Sequence, residues 1–165
     1  MANLYYSEEL DAKAFQLGAT VSITGDEARH AVRVARLRVG ERTLIGNGQG
    51  VLGRGEVVTI GRDEFSVALD EIEVGEAPET ELVLVQALAK GDRDERAVEQ
   101  ATEFGVDRIL PWQAARSVSR WEGAGSADKR AKGMLKWARI AREAAKQSMR
   151  ARIPQVGDPV SLSKL

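Results

Sequence analysis

LVLVQALAKGDRDERAVEQATEFGVDRILPW, residues 82–112, is the stretch whose reading decides the fold. Leu82 to Leu88 is a continuous apolar run rich in valine, which reads as a strand. From Asp92 to Phe104 the period becomes helical, with Ala97, Val98, Ala101 and Phe104 on one face, and Gly105 stands where a helix end favours glycine. Val106–Trp112 reads as a second strand. Strand, helix, strand within some thirty residues is a βαβ unit, which requires parallel strands and a right-handed crossover.

Downstream, the glycine- and serine-containing loop GAGSA (123–127) precedes a long helix, expected from Asp128 to Arg150 and stopped by Pro154. RIPQV (152–156) reads as a third strand of the same sheet, and SLSKL (161–165) would open another helix. Such a domain has an unfinished last crossover and exposed sheet edges, so a C-terminally truncated chain is expected. Upstream, short β-type runs fill the sequence: TVSIT (20–24), RTLIGN (42–47), VLGRGEVVTI (51–60) and EFSVAL (64–69), with Gly48, Gly50 and Gly61 at turns. They predict a small antiparallel barrel or sandwich. One helix interrupts it: Thr24-Gly-Asp-Glu27 has the form of a capping box, and Ala28, Ala31, Val32 and Ala35 repeat at helical spacing. VGEAPETE (74–81) has no apolar period and carries a proline, so the domain boundary is placed there, giving domains over 1–76 and 80–165.

The chain's 43% hydrophobic and 30% charged residues are typical of globular proteins. Its lack of cysteine excludes disulfides and thiolate chemistry, and its single histidine, His30, excludes a histidine-rich metal centre. Acidic residues near the N-terminus do not fit a signal peptide, and no run approaches the ~20 apolar residues of a membrane span, so a cytoplasmic location is expected. The net charge of −1 hides an asymmetry. Residues 1–77 hold 8 Lys/Arg against 13 Asp/Glu, whereas 78–165 hold 16 against 12. Cations concentrate in 108–152, with 12 Lys/Arg against 3 acids, and in 29–42, with five arginines against Glu41 alone. Two localised positive stretches suit a polyanion, although an ordinary solvated face has the same composition.

Five separated blocks resemble the 16S ribosomal RNA (uracil-N3)-methyltransferase family. They are His30-Ala-Val-Arg-Val-Ala-Arg36 with Gly40; Lys90-Gly-Asp-Arg93; Gln100-Ala-Thr-Glu-Phe-Gly-Val106 with Pro111; Ala115-Arg-Ser-Val118; and Glu143-Ala-Ala-Lys-Gln-Ser-Met-Arg150 ending at Pro154. Phe104 and Ala35 depart from the leucines common in that family. The resemblance implies an N-terminal PUA-like β-barrel that holds RNA, followed by an incomplete α/β domain of the knotted SPOUT type with a parallel sheet. It further implies homodimers that take a methyl group from S-adenosylmethionine, with 16S ribosomal RNA or the small ribosomal subunit as partner. The family's cofactor loops have no counterpart in residues 1–165, so no cofactor-binding or metal-ligating residue is named and this stretch alone is expected to be inactive. A non-catalytic RNA-binding adaptor with the same two domains is the alternative.

Methylating N3 of uracil requires an extruded base, a proton acceptor and charge to neutralise the uracil anion. On the long helix Lys132, Lys136, Arg139, Glu143, Lys146 and Arg150 recur at spacings of three and four, which predicts one stripe able to hold phosphates. Glu143 is the candidate proton acceptor, with Arg150 as its catalytic companion. Ligands of open α/β sheets bind beyond the carboxyl ends of the strands. The loops carrying Lys90 and Arg93, and Arg116 and Ser117, are therefore expected to share one crevice with Gln147 and Arg150. Asp92 reads equally well as a helix N-cap. Arg29, Arg33 and Arg36 form a second candidate RNA stripe. His30 reads as a packing residue, Trp137 as buried, Trp112 and Trp121 as either core or base-stacking rings, and Gly46-Asn-Gly-Gln-Gly50 as a hairpin turn.

Overall fold

The structure is a computed structural model that describes residues 3–121, 123 and 127–162. The chain folds as two compact units: Met1–Ala77 with Met149–Arg152, and Pro78–Ser148 with Ile153–Leu165.

The first unit is a five-stranded half-barrel in the order β1-β3-β4-β5-β2, built from β1 (Leu4–Tyr6), β2 (Thr20–Thr24), β3 (Arg42–Gly46), β4 (Val51–Ile60) and β5 (Glu64–Val74). Four of the strands match the sequence reading, but the barrel is not wholly antiparallel, because β1 pairs in parallel with β3, Leu4 opposite Leu44. Alternation puts Val21, Ile23, Phe65, Val67 and Leu69 into a core completed by Tyr5 and Phe15, with Tyr5 edge-on to Phe65 at 5.3 Å. The register of β4 against β5 slips between Arg54 and Gly55. A side chain at Gly55 would stand 1.9 Å from the Ala68 carbonyl oxygen, so this bulge needs glycine.

The interrupting helix differs from expectation. Helix α1 is only Gly25–Arg29 and runs into a π-turn over His30–Val34. The wider turn shifts the apolar face: Ala28 and Ala31 are buried, Ala35 faces out, and Leu37 takes the expected place of Ala35. Arg36 adopts φ 56°, and the Leu37 amide donates to the Ala31 carbonyl to end the turn. The Thr24 side chain makes no capping bond, so the capping box is absent. His30 is exposed, which corrects its reading as a packing residue.

The second unit is a three-stranded parallel sheet in the order β6-β7-β8, from β6 (Val83–Ala87), β7 (Arg108–Trp112) and β8 (Gln155–Val156), with α2 (Arg93–Glu103) and α3 (Ala127–Gln147). The βαβ reading holds, as does the return of the third strand. Leu88, Val98, Val106, Ile109, Trp121, Trp137 and Ala141 form the core, and Trp137 packs edge-on against Trp121 at 5.2 Å. On α2 the buried stripe is Asp94, Val98 and Thr102, whereas Phe104 follows the helix end and lies 86% exposed. The expectations for GAGSA and SLSKL fall largely on 124–126 and 163–165, outside the described residues.

Helix α3 stops at Gln147, well before Pro154, because Met149 turns left-handed with φ 55° and the Ser148 amide and hydroxyl both donate to the Ala144 carbonyl. Met149–Arg152 then joins the first unit. There the Tyr6 hydroxyl donates to the Arg150 carbonyl at 2.5 Å, and the Gly50 amide donates to the Ala151 carbonyl at 2.9 Å. The Arg152 guanidinium donates to the carbonyls of Gln49 and Gly75 at 2.6 and 2.9 Å. These bonds satisfy backbone groups that the end of a strand otherwise leaves open.

Candidate functional site

In the second unit α2 and α3 lie side by side in the same direction. Glu95 meets Lys136, Glu99 and Arg139 share a groove, and Glu103 and Gln147 share its far end. A cavity of about 260 Å³ opens at the leading ends of these helices, beside the carboxyl end of β6. Ala89 and Gly91 form one wall, Ser119 and Trp121 another, and Lys129, Lys132, Gly133 and Lys136 the side contributed by α3. The walls are held by bonds that local sequence explains. The buried Asp94 carboxylate accepts from the amides of Ala89 at 3.1 Å and Glu95 at 2.9 Å, which pins the loop after β6 to α2. The Trp121 amide donates to the Gln113 side chain at 2.8 Å, closing the loop after β7. Glycine inside a helix costs about 1 kcal/mol relative to alanine, yet Gly133 is required: a Cβ there would meet the Trp121 ring at 2.4 Å. The Trp121 indole lies directly on the α3 backbone.

The cavity's electrostatics follow from which charges are already paired. Lys136 is bound to Glu95 at 2.5 Å, and Asp94 is occupied by its two amides. Lys129 and Lys132, one turn apart, have no carboxylate partner among the described residues. The cavity therefore presents two uncompensated ammonium groups and the Ser119 side chain. Among the described residues no cluster of His, Asp and Glu could hold a metal ion.

The expected site residues are distributed over three places. Lys136 lines the cavity; Lys90, on the loop beside its Gly91 wall, and Arg93, the first residue of α2, are exposed without lining it. Arg116 and Ser117 belong to the loop after β7, but the residue of that loop that reaches the cavity is Ser119. Arg139, Glu143 and Gln147 line a second hollow of about 300 Å³ with Glu99, Glu103, Ile140 and Ala144 at the opposite end of the helix pair. The single crevice expected for Gln147, Arg150 and the strand-end loops is thus corrected. Helices of a parallel sheet run against the strands, so the trailing end of α3 points away from their carboxyl ends. Nor does the stripe continue to Arg150, which lies beyond the helix and belongs to the first unit. Asp92 stands at the N-cap position of α2 without capping it, and pairs instead with Arg96 at 3.0 Å. Sequence reasoning passed over Lys129, Ser119 and Gly133. The spacing of Lys129, Lys132 and Lys136 and the glycine within a helix were the signals available.

On the first unit the arginine stripe is partly neutralised. Arg29 pairs with Asp26, Arg33 with Asp63 at 3.1 Å, and Arg42 grips Asp70 through two bonds of 2.6 and 2.7 Å. The hydrogen bonds from Arg42 hold the Asp70 carboxyl below its ordinary range, so what this pair contributes is present above the ordinary carboxylate pKa and lost as the pH falls through the lowered one. Arg36 and Arg38 keep no carboxylate partner among the described residues, and Val34 and Val39 beside them are 68% and 60% exposed. Exposed pairs such as Arg33 with Asp63 contribute only about 0.2–1 kcal/mol, so a polyanion can compete for these arginines.

Residues 76–165 match the model of the RNA methyltransferase domain, and residues 23–70 that of the RNA methyltransferase PUA domain. Across all 165 residues the chain is 39% identical to ribosomal RNA small subunit methyltransferase E of Mycobacterium bovis, covering 100% of this chain and 60% of that protein. It is 34% identical to the Bacillus subtilis protein of the same name, covering 97% of this chain and 61% of the relative. The crystal structure of the Neisseria gonorrhoeae methyltransferase E bound to S-adenosyl methionine has the same fold, with a TM-score of 0.80 at 21% identity over 98% of this chain and 62% of that one. The chain thus spans about three-fifths of the length of these relatives. With more than half of its residues inside the domain model and a PUA domain in front, the chain belongs to the RNA methyltransferase domain family, joining a PUA half-barrel to an α/β unit with a parallel sheet.

Proposed function

We propose that this chain is the RNA-holding and scaffold portion of an enzyme that moves a methyl group from S-adenosylmethionine to N3 of a uridine in 16S ribosomal RNA, acting as a homodimer. The observation that carries this reading is the pair of family matches in one chain, supported by 39% identity to a small-subunit ribosomal RNA methyltransferase over its whole length. S-adenosylmethionine supplies an electrophilic methyl on a sulfonium. The described cavity at the strand ends does not fit that group, because its free charges are the ammonium groups of Lys129 and Lys132 and its Glu95 carboxylate is already bound to Lys136. The contribution of these residues is to bind and orient RNA, with Arg36 and Arg38 on the half-barrel providing charge and with Glu143 as acceptor of the N3 proton.

Deleting the gene should remove N3-methyluridine from 16S RNA digests analysed by mass spectrometry, and the whole gene should restore it. Complementation with Glu143→Gln should restore the protein but lower its methylation rate about 10²-fold or more, the usual effect of losing a general base. Full methylation by that variant removes Glu143 from the chemistry.

The half-barrel's part is tested with Arg33→Ala. If the arginine contacts one phosphate, the slope of log affinity against log salt for RNA should fall by about 1, with all RNA sequences weakened alike. Should Arg33 act only through Asp63, the slope stays constant and only the melting temperature moves.

A further inference from the structure

We propose that the cavity at the strand ends of the second unit is a subsite for a backbone phosphate of RNA, held by Lys129 and Lys132. The inference rests on the RNA reading above and assigns it a second, built contact point. Lys129 and Lys132 are like charges one turn apart, an arrangement that destabilises a helix by a few tenths of a kcal/mol. They also lie in the first two turns of α3, where the helix dipole disfavours cations. Both carboxylates that line the cavity are committed elsewhere, Glu95 to Lys136 and Asp94 to two backbone amides, so no carboxylate among the described residues pairs with either lysine. An anion entering the cavity would.

About 260 Å³ corresponds to the liquid volume of several waters, each about 30 Å³, enough for a phosphodiester with its hydration. The tryptophans exclude a base as the occupant. Trp121 and Trp137 are 7% and 1% exposed and pack against each other edge to face, so neither offers a free ring face for stacking. They serve instead as a rigid, dry wall against which the two ammonium groups are stronger than in open water. Lysine suits such a place, since it binds phosphate as a point charge and needs no bidentate geometry.

The test uses the whole 165-residue chain, a single-stranded oligoribonucleotide and filter binding across a salt series. In the Lys129→Gln, Lys132→Gln double variant the salt slope should fall by about 0.7, the value for one phosphate contact on a single strand, with a thermal melt no lower than that of the unaltered chain. A second variant, Gly133→Ala, keeps both lysines but drives the Trp121 ring toward the cavity, and it should weaken RNA binding as well. A long-range field without a built subsite would leave Gly133→Ala at wild-type affinity, which overturns the proposal. A double variant with the wild-type slope overturns it too, while the RNA reading stands. If the unaltered chain binds no oligoribonucleotide at low salt, the RNA reading itself fails and takes the subsite with it.

Discussion

Replacing Trp137 by alanine should destabilise the second unit by about 3–5 kcal/mol, the usual cost of deleting a large buried aromatic side chain. Trp137 is 1% exposed on α3 and touches the core formed by β6, α2 and β7, so few neighbours can collapse into the space it leaves. Its edge-to-face contact with Trp121 adds about 0.5–1.5 kcal/mol. Domains are stable by only about 5–15 kcal/mol, so the loss removes about a fifth of the total or more. Denaturant titration of the full chain, followed by far-ultraviolet circular dichroism and tryptophan fluorescence, should show an early transition for Trp137→Ala and a smaller shift for Trp137→Phe. An unshifted midpoint for the alanine variant would show that the aromatic pair is not what holds the unit together. The effect also reaches the proposed phosphate subsite, because Trp121 loses its backing ring.

Calorimetry of residues 1–165 with S-adenosylmethionine should give no measurable heat of binding, whereas a longer protein carrying the cofactor loops should bind. The difference is large: a micromolar complex corresponds to about −8 kcal/mol. The expectation follows from the cavity's lining. A sulfonium and an ammonium on one ligand would face Lys129 and Lys132, while the nearest carboxylate, Glu95, is held by Lys136. Micromolar binding to this chain would place the cofactor within these residues and would favour the acidic hollow of Glu99, Glu103 and Glu143 as its seat.

Much of this molecule was legible from residue order because the physics involved is local. Apolar period distinguishes β6 from α2, glycine marks the end of α2, and the valine- and isoleucine-rich runs of the first half emerge as β2 to β5. Trp137 could be assigned to the core from its spacing with Met134 and Ala141 alone. Charge was equally legible as a matter of location along the chain, since counting arginines in 29–42 needs no coordinates.

Tertiary structure decided what depends on partners distant in sequence. Leu4–Tyr6 is three residues long and has no period to detect; it is a strand because β3, forty residues away, offers it a parallel edge. The π-turn at His30 moved one register of the helix, turning the histidine outward and drawing Leu37 into the core, a choice made by the barrel's interior. Helix α3 ends at Gln147, where Met149 turns left-handed, and Arg150–Arg152 then find hydrogen-bond partners on the half-barrel, bonds between residues 77 to 144 positions apart that no local pattern announces. The cation spacing on α3 was legible as far as Lys146, whereas Arg150 lies beyond the helix. Which of these cations face a cavity, and which are consumed by Glu95 or aligned with Glu99 and Glu103, was fixed only when α2 packed alongside. Sequence thus determined the elements and the total charge, and packing determined which charges remained unpaired, because a charge is free or spent according to neighbours that only the fold brings within reach.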